Sequence, residues 1–339
     1  MKALNKLVAV SLVALAASAL AQDKAVVLRV ADSFPSGHYF VNYATKFWMD
    51  SVTKATGGAV TFEYYPSEQL GKAKDFLALT QFGVTDIAYV MPSLVSDKMP
   101  LSAVAELPGG VTGACEGSVA FWKLARNGVL ADKEFAANGV LPIFAVVLPP
   151  YQVFTKAKLE SVKNLEGMKL YTAGGAKELT VRKLKAVPVK MTTPEVYESL
   201  SRGTIDGILF PYASLFPYNL DKLVKYGTVS ESLGNAVVTY VINAAKYKQL
   251  PASVQKAMSD ASEATVKHAC ALIDRDLKSQ MQRAKQGGIT PVQFPVAERK
   301  EIDAAMVTIG KEWAESLDKQ GKPGSEVLKG FQDALKAGR

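Results

Sequence analysis

Cysteine and histidine are almost missing from this 339-residue chain, which has only Cys115, Cys270, His38 and His268. Two histidines are too few for a histidine-rich metal site, and two cysteines with 154 residues between them form no CxxC pair, so neither zinc-cluster nor dithiol chemistry organises the protein. No HExxH, GxSxG or GxxxxGK[ST] motif occurs, which leaves an enzyme reading without a motif and gives no reason to expect a cofactor or a metal. Charge of one sign is not concentrated either. Forty basic side chains face 32 acidic ones without a basic run, which excludes nucleic acid as the expected partner.

The one long apolar run is at the N-terminus. Lys2 and Lys6 precede apolar residues through Leu15, and Ala19-Leu20-Ala21 offers a small-residue cleavage site before Gln22. Residues 1–21 therefore read as a secretory signal peptide, too short to span a membrane and with no following cysteine to take a lipid. Its removal takes away two lysines and no acids and leaves a net charge of +6, a mild value expected of a soluble periplasmic protein. In that oxidising compartment a Cys115–Cys270 disulfide is one option. Two buried thiols are the other, since Cys270 shares a helical stripe with Val266, Ile273, Leu277 and Met281.

What is present is a repeated alternation. Met168–Tyr171, Val187–Met191 and Gly207–Phe210 read as strands separated by helices over Ala176–Leu184 and Pro194–Arg202. Val26–Ala31, Val60–Tyr65 and Thr85–Val90, with helices over Val41–Thr56 and Lys72–Phe82 between them, read the same way about 140 residues earlier. Strands joined through one helix run parallel, so the expected fold class is α/β with two similar lobes, each a mostly parallel sheet flanked by helices. The apolar strand Val140–Leu148 and Pro149-Pro150 mark a crossing, and Ala236–Ala245 is a candidate strand returning to the first lobe. A helix over Ala252–Ala284 would be near 50 Å long, enough to lie across both lobes. The division is then 22–148 with about 236–276 for lobe I, and 149–235 with about 277–339 for lobe II.

These elements carry six short motifs in order: Ala31-Asp32-Ser33-Phe34-Pro35 with Gly37-His38, Tyr65–Gly71, Gly83–Ala88, Asn164–Leu170, Pro194–Tyr197 and Gly203–Gly207. Together, over essentially the whole mature chain, they make it resemble the substrate-binding proteins of tripartite ATP-independent periplasmic (TRAP) transporters. The resemblance implies a solute receptor that closes two lobes on a small organic ligand and delivers it to an ion-gradient-driven TRAP permease; the repeated motif with its crossing strands makes a monomer the expectation, and the aromatic residues at the strand ends extend the expected solute from an organic acid to an aromatic or amine one. The resemblance also implies an arginine at the end of the strand matching Met168–Tyr171, gripping a ligand carboxylate. Here that position is Tyr171. An asparagine position of the family falls on Phe210, and a second arginine position on Gln152. A simple C4-dicarboxylate is thereby disfavoured.

Ligands of parallel sheets gather beyond the strands' carboxyl ends, which makes Tyr171, Phe210 and Tyr89 candidate ligand contacts, with Tyr39 after the first loop and Tyr151 beside Gln152 at the crossing. Each aromatic has a packed-core alternative. Gly174, before the helix at Ala176, either offers backbone N–H groups to an anion or only turns the chain. Two further functions compete: a receptor of the same fold serving a membrane sensor, and a periplasmic hydrolase or lyase.

Overall fold

The computed structural model describes residues 25–338 apart from residue 230, so the expected signal peptide lies outside the described residues. Alternating or wholly apolar stretches form β1 (Val26–Ala31), β2 (Val60–Tyr65) and β3 (Ile87–Val90), and β1 pairs parallel with both of the others. The long apolar run Val140–Val147 becomes β4. Immediately beyond it the chain leaves this sheet.

Short strands β5 (Gln152–Thr155), β6 (Lys169–Thr172), β7 (Val187–Lys190), β8 (Gly207–Phe210) and β9 (Tyr226–Thr228) build a second sheet. Within it β6 runs parallel to β7 and β8, while β5 is antiparallel to β8 and β9. The chain then returns as β10 (Val237–Asn243), antiparallel to β3 and β4 in the first sheet. Last, β11 (Thr290–Val292) adds to β9. The orders β2-β1-β3-β10-β4 and β11-β9-β5-β8-β6-β7 share one plan, three parallel strands followed by an antiparallel strand.

The two crossings lie side by side. Leu148 N donates to Ala236 O and Tyr151 N to Gly234 O, both at 2.8 Å, while Pro149 and Pro150 between them have no N–H to offer. The ladder is interrupted where a hinge must bend. Gly234 is required here: its φ is +99°, and a Cβ would stand 2.6 Å from the carbonyl of Glu106.

The helix Ala252–Gln286, 35 residues and so about 52 Å long, buries Val254, Met258, Val266, Cys270 and Ile273 against the first lobe and carries Arg283 over the ring of Phe216 in the second. Cys115 and Cys270 form a disulfide that ties the helix Ala114–Asn127 to it. Asp274 beside the bridge accepts from the N–H groups of Ala114 and Cys115 at that helix's start. His268, which lies off the apolar stripe and reads as an ordinary surface residue, is instead half-buried and stacked on Phe47 at 3.9 Å. No described helix is long and apolar enough to cross a membrane.

Candidate functional site

The carboxyl ends of β1, β3, β6 and β8 bring aromatic side chains from both lobes into one continuous set of ring contacts. Tyr89 meets Phe34 edge-on at 5.1 Å, and Phe34 stacks on His38 at 4.3 Å. His38 stacks on Tyr39 at 4.5 Å and tilts against Tyr218 of the second lobe at 5.6 Å. From Tyr218 the contacts continue to Phe210 at 6.0 Å, and from Phe210 to Tyr171 at 6.0 Å and Tyr151 at 6.2 Å. Tyr39 closes another interlobe contact, its hydroxyl 3.3 Å from Ser214 Oγ.

Thus Tyr171, Phe210, Tyr89, Tyr39 and Tyr151 come together. Burial pushes the hydroxyl of Tyr39 up to about 12 and those of Tyr89, Tyr151, Tyr171 and Tyr218 also above the ordinary value, so all five keep their protons. The Tyr171 hydroxyl lies 3.0 Å from Thr193 Oγ1.

Gln152 and Gly174 sit differently from the sequence expectation. The Gln152 amide is engaged through both its nitrogen and its oxygen within its own lobe, donating to Glu231 O at 2.7 Å and accepting from Thr228 Oγ1 at 2.8 Å. The N–H of Gly174 donates to Thr172 Oγ1, and the residue, at φ +98°, packs so close that a Cβ would lie 2.9 Å from Ser93 O of the first lobe. Gly174 is a contact between lobes and has no N–H free for an anion.

A buried ion pair lies beside the rings. Lys177 Nζ stands 2.8 Å from Glu106 Oε2, both side chains wholly enclosed, and also donates to Ser93 Oγ and Asn235 O at 3.3 Å. The ammonium is thus surrounded by three oxygens, one of them carrying the opposite charge. Lys177 belongs to the second lobe's helix Ala176–Lys183, Glu106 and Ser93 to segments following β3, and Asn235 to the returning crossing, so the pair joins both lobes at their hinge. Burial pushes the Glu106 carboxyl up while Lys177 beside it pulls it down. Among the described residues Lys177 is the one fully buried lysine or arginine. A second enclosed acid, Asp32, is raised to about 6 by burial against the opposing hydrogen bonds from Tyr240 at 2.5 Å, Phe34 N at 2.9 Å and Tyr64 at 2.7 Å.

Sequence reasoning missed Lys177, Glu106, His38 and Tyr218 as site residues. A lone acid in the apolar stretch Leu101–Leu107 and a lysine in the first helical turn after a parallel strand were signals for the pair. An open groove of about 550 Å³ lies between the lobes, lined by Lys72, Lys74 and Leu94 of the first and Lys190, Met191 and Glu195 of the second. No group of acids, histidines or cysteines among the described residues could hold a metal.

Two α/β lobes joined by adjacent crossings, with an enclosed set of side chains at their junction, define a solute receptor that closes on its ligand. The chain belongs to the bacterial extracellular solute-binding proteins of family 7, whose pattern matches residues 30–316. It is 27% identical over 337 residues to the C4-dicarboxylate-binding periplasmic protein DctP of Rhodobacter capsulatus, covering 93% of this chain and 94% of that one. Its fold matches that of a marine metagenome TRAP solute-binding protein specific for aromatic acid ligands, in complex with 3-hydroxybenzoate, at a TM-score of 0.86 and 25% identity over 93% of this chain and 99% of that one. A TRAP solute-binding protein from Rhodoferax ferrireducens, in complex with copurified benzoate, gives a TM-score of 0.85 at 24% identity, covering 92% and 98%.

Proposed function

We propose that this receptor encloses a small aromatic solute and presents it to a TRAP permease, after export to the periplasm through the leader at residues 1–21. The closing bodies are residues 22–148 with about 236–276 and residues 149–235 with about 277–339. The observation that carries the ligand reading is the run of ring contacts from Tyr89 through His38 and Tyr218 to Tyr171, which crosses from one lobe to the other. Flat rings offer stacking and edge contacts each worth about 0.5–1.5 kcal/mol to another aromatic ring, and little to a short aliphatic diacid.

A diacid needs more. Burying each carboxylate without charged or multiple donors costs several kcal/mol. Tyr171 replaces the arginine that the family resemblance implies, and Lys177 is already neutralised by Glu106. The 3-hydroxybenzoate-bound relative supports the same reading at 25% identity.

Mass spectrometry of the solute released from purified protein tests the proposal, followed by a thermal-shift panel of aliphatic diacids and aromatic acids on ligand-free protein. The expected solute carries an aromatic ring, and Tyr171→Arg should improve succinate or malate binding. Micromolar succinate or malate binding by the unaltered protein would overturn the ligand reading.

A further inference from the structure

His38 is held more tightly than a loop residue usually is. Its N–H donates to Pro35 O at 2.8 Å, its carbonyl accepts from Val41 N at 3.1 Å, and its ring lies between Phe34 and Tyr39 at interplanar angles of 18° and 29°. Nδ1 accepts from the N–H of Phe40 at 3.2 Å. That bond requires Nδ1 to be unprotonated and so places the hydrogen on Nε2. Nε2 is completely buried and has no hydrogen-bond partner among the described residues. A buried donor left unmatched is costly, and native structures keep such groups chiefly where a ligand or an ordered water completes them.

We infer that His38 is a ligand-reading residue, whose Nε2–H donates to a carboxylate oxygen of an aromatic acid enclosed between the lobes. The inference rests on the aromatic-solute reading and adds the polar half of recognition. The acid group follows from which side chains are already committed. Asp32 accepts from three donors, and Glu106 is paired with Lys177, so neither of the two acids beside the rings is left free for a cationic solute. An acid finds a neutral imidazole donor at the lobe junction together with protonated hydroxyls on Tyr89, Tyr151 and Tyr218, and several neutral donors together can hold a buried carboxylate. Burial pushes the His38 imidazole down to about 3, so it stays a neutral donor at any pH the periplasm reaches.

Isothermal titration of ligand-stripped protein with benzoate tests this, using two variants that divide the ring's two jobs. In His38→Asn the side-chain oxygen can still accept from Phe40 N–H, but nothing reaches the place of Nε2. In His38→Gln the amide nitrogen reaches that place. His38→Asn should weaken benzoate binding about ten- to a hundredfold, with a ligand-free melting temperature close to that of His38→Gln, and His38→Gln should recover part of the lost affinity. Benzoate affinity in His38→Asn within twofold of the unaltered protein would overturn the role of His38 alone. An equal loss in both variants would also overturn it, by showing a merely structural effect. Absence of benzoate binding by the unaltered protein would overturn the aromatic reading and this inference together.

Discussion

Replacing Lys177 with methionine removes one half of an ion pair whose two side chains are both wholly enclosed, so no solvent screening softens the loss. Glu106 would keep its hydrogen bond from Ser93 Oγ at 3.0 Å but lose the cation at 2.8 Å. Breaking a buried pair from one side typically costs about 3–5 kcal/mol. Because the two residues belong to different lobes, the variant has an escape that a core mutant lacks: opening the cleft rehydrates Glu106. Lys177→Met should therefore enlarge the ligand-free radius of gyration in small-angle scattering and lower the melting temperature by roughly 6–20 °C.

Acidity provides a second escape with a definite sign. The Glu106 carboxyl is already raised in the folded protein, and loss of Lys177 raises it further, so the folded state takes up a proton more readily than the unfolded one. The variant's deficit should shrink as the pH falls from 8 toward 5. Adding Glu106→Gln should restore much of the stability at pH 8, since no lone charge then remains buried. A Lys177→Met protein with unchanged radius, melting temperature and ligand affinity would refute the reasoning.

Removing the disulfide with Cys115→Ala and Cys270→Ala opens a loop closed over a sequence separation of 155, worth about 4–5 kcal/mol in the chain-entropy account. The melting temperature should fall while affinity for the bound solute stays within about threefold, because the bridged helices supply none of the rings that run from Tyr89 to Tyr171 between the lobes; titration calorimetry on the folded variant checks this. Gly174→Ala places a methyl against Ser93 O at a φ of +98°, so it should weaken ligand binding by disfavouring closure, and scattering on the liganded variant should show incomplete compaction. His38 has a folded value near 3 against 6.5 when free, so the unfolded chain binds a proton that the native ring refuses. Stability should fall by about 1.4 kcal/mol per pH unit from 6.5 down to 4 on this account alone, and His38→Asn should lose less than the unaltered protein over that range in chemical denaturation.

The parallel β-α-β-α-β halves were legible because β1, β2, β3, β6, β7 and β8 are apolar segments set between helical periods, and both kinds of signal are local. The ends of those strands in turn located Tyr89, Tyr171 and Phe210. β5 and β9, four and three residues long, left no readable period; they are strands because β8 and each other supply hydrogen bonds. Side-chain commitments were equally out of reach. Gln152 and Gly174 have site-like identities, yet Thr228, Glu231 and Ser93, all distant in sequence, occupy or crowd them. Conversely, nothing near Lys177 in sequence identifies Glu106 as its partner, and nothing near His38 brings Tyr218 to its edge. Backbone periodicity is set by neighbours along the chain, so sequence alone determined the two lobes and the direction their strands point. Which polar atoms remain free for a solute depends on groups that meet only when the lobes pack, and only the tertiary structure decided that.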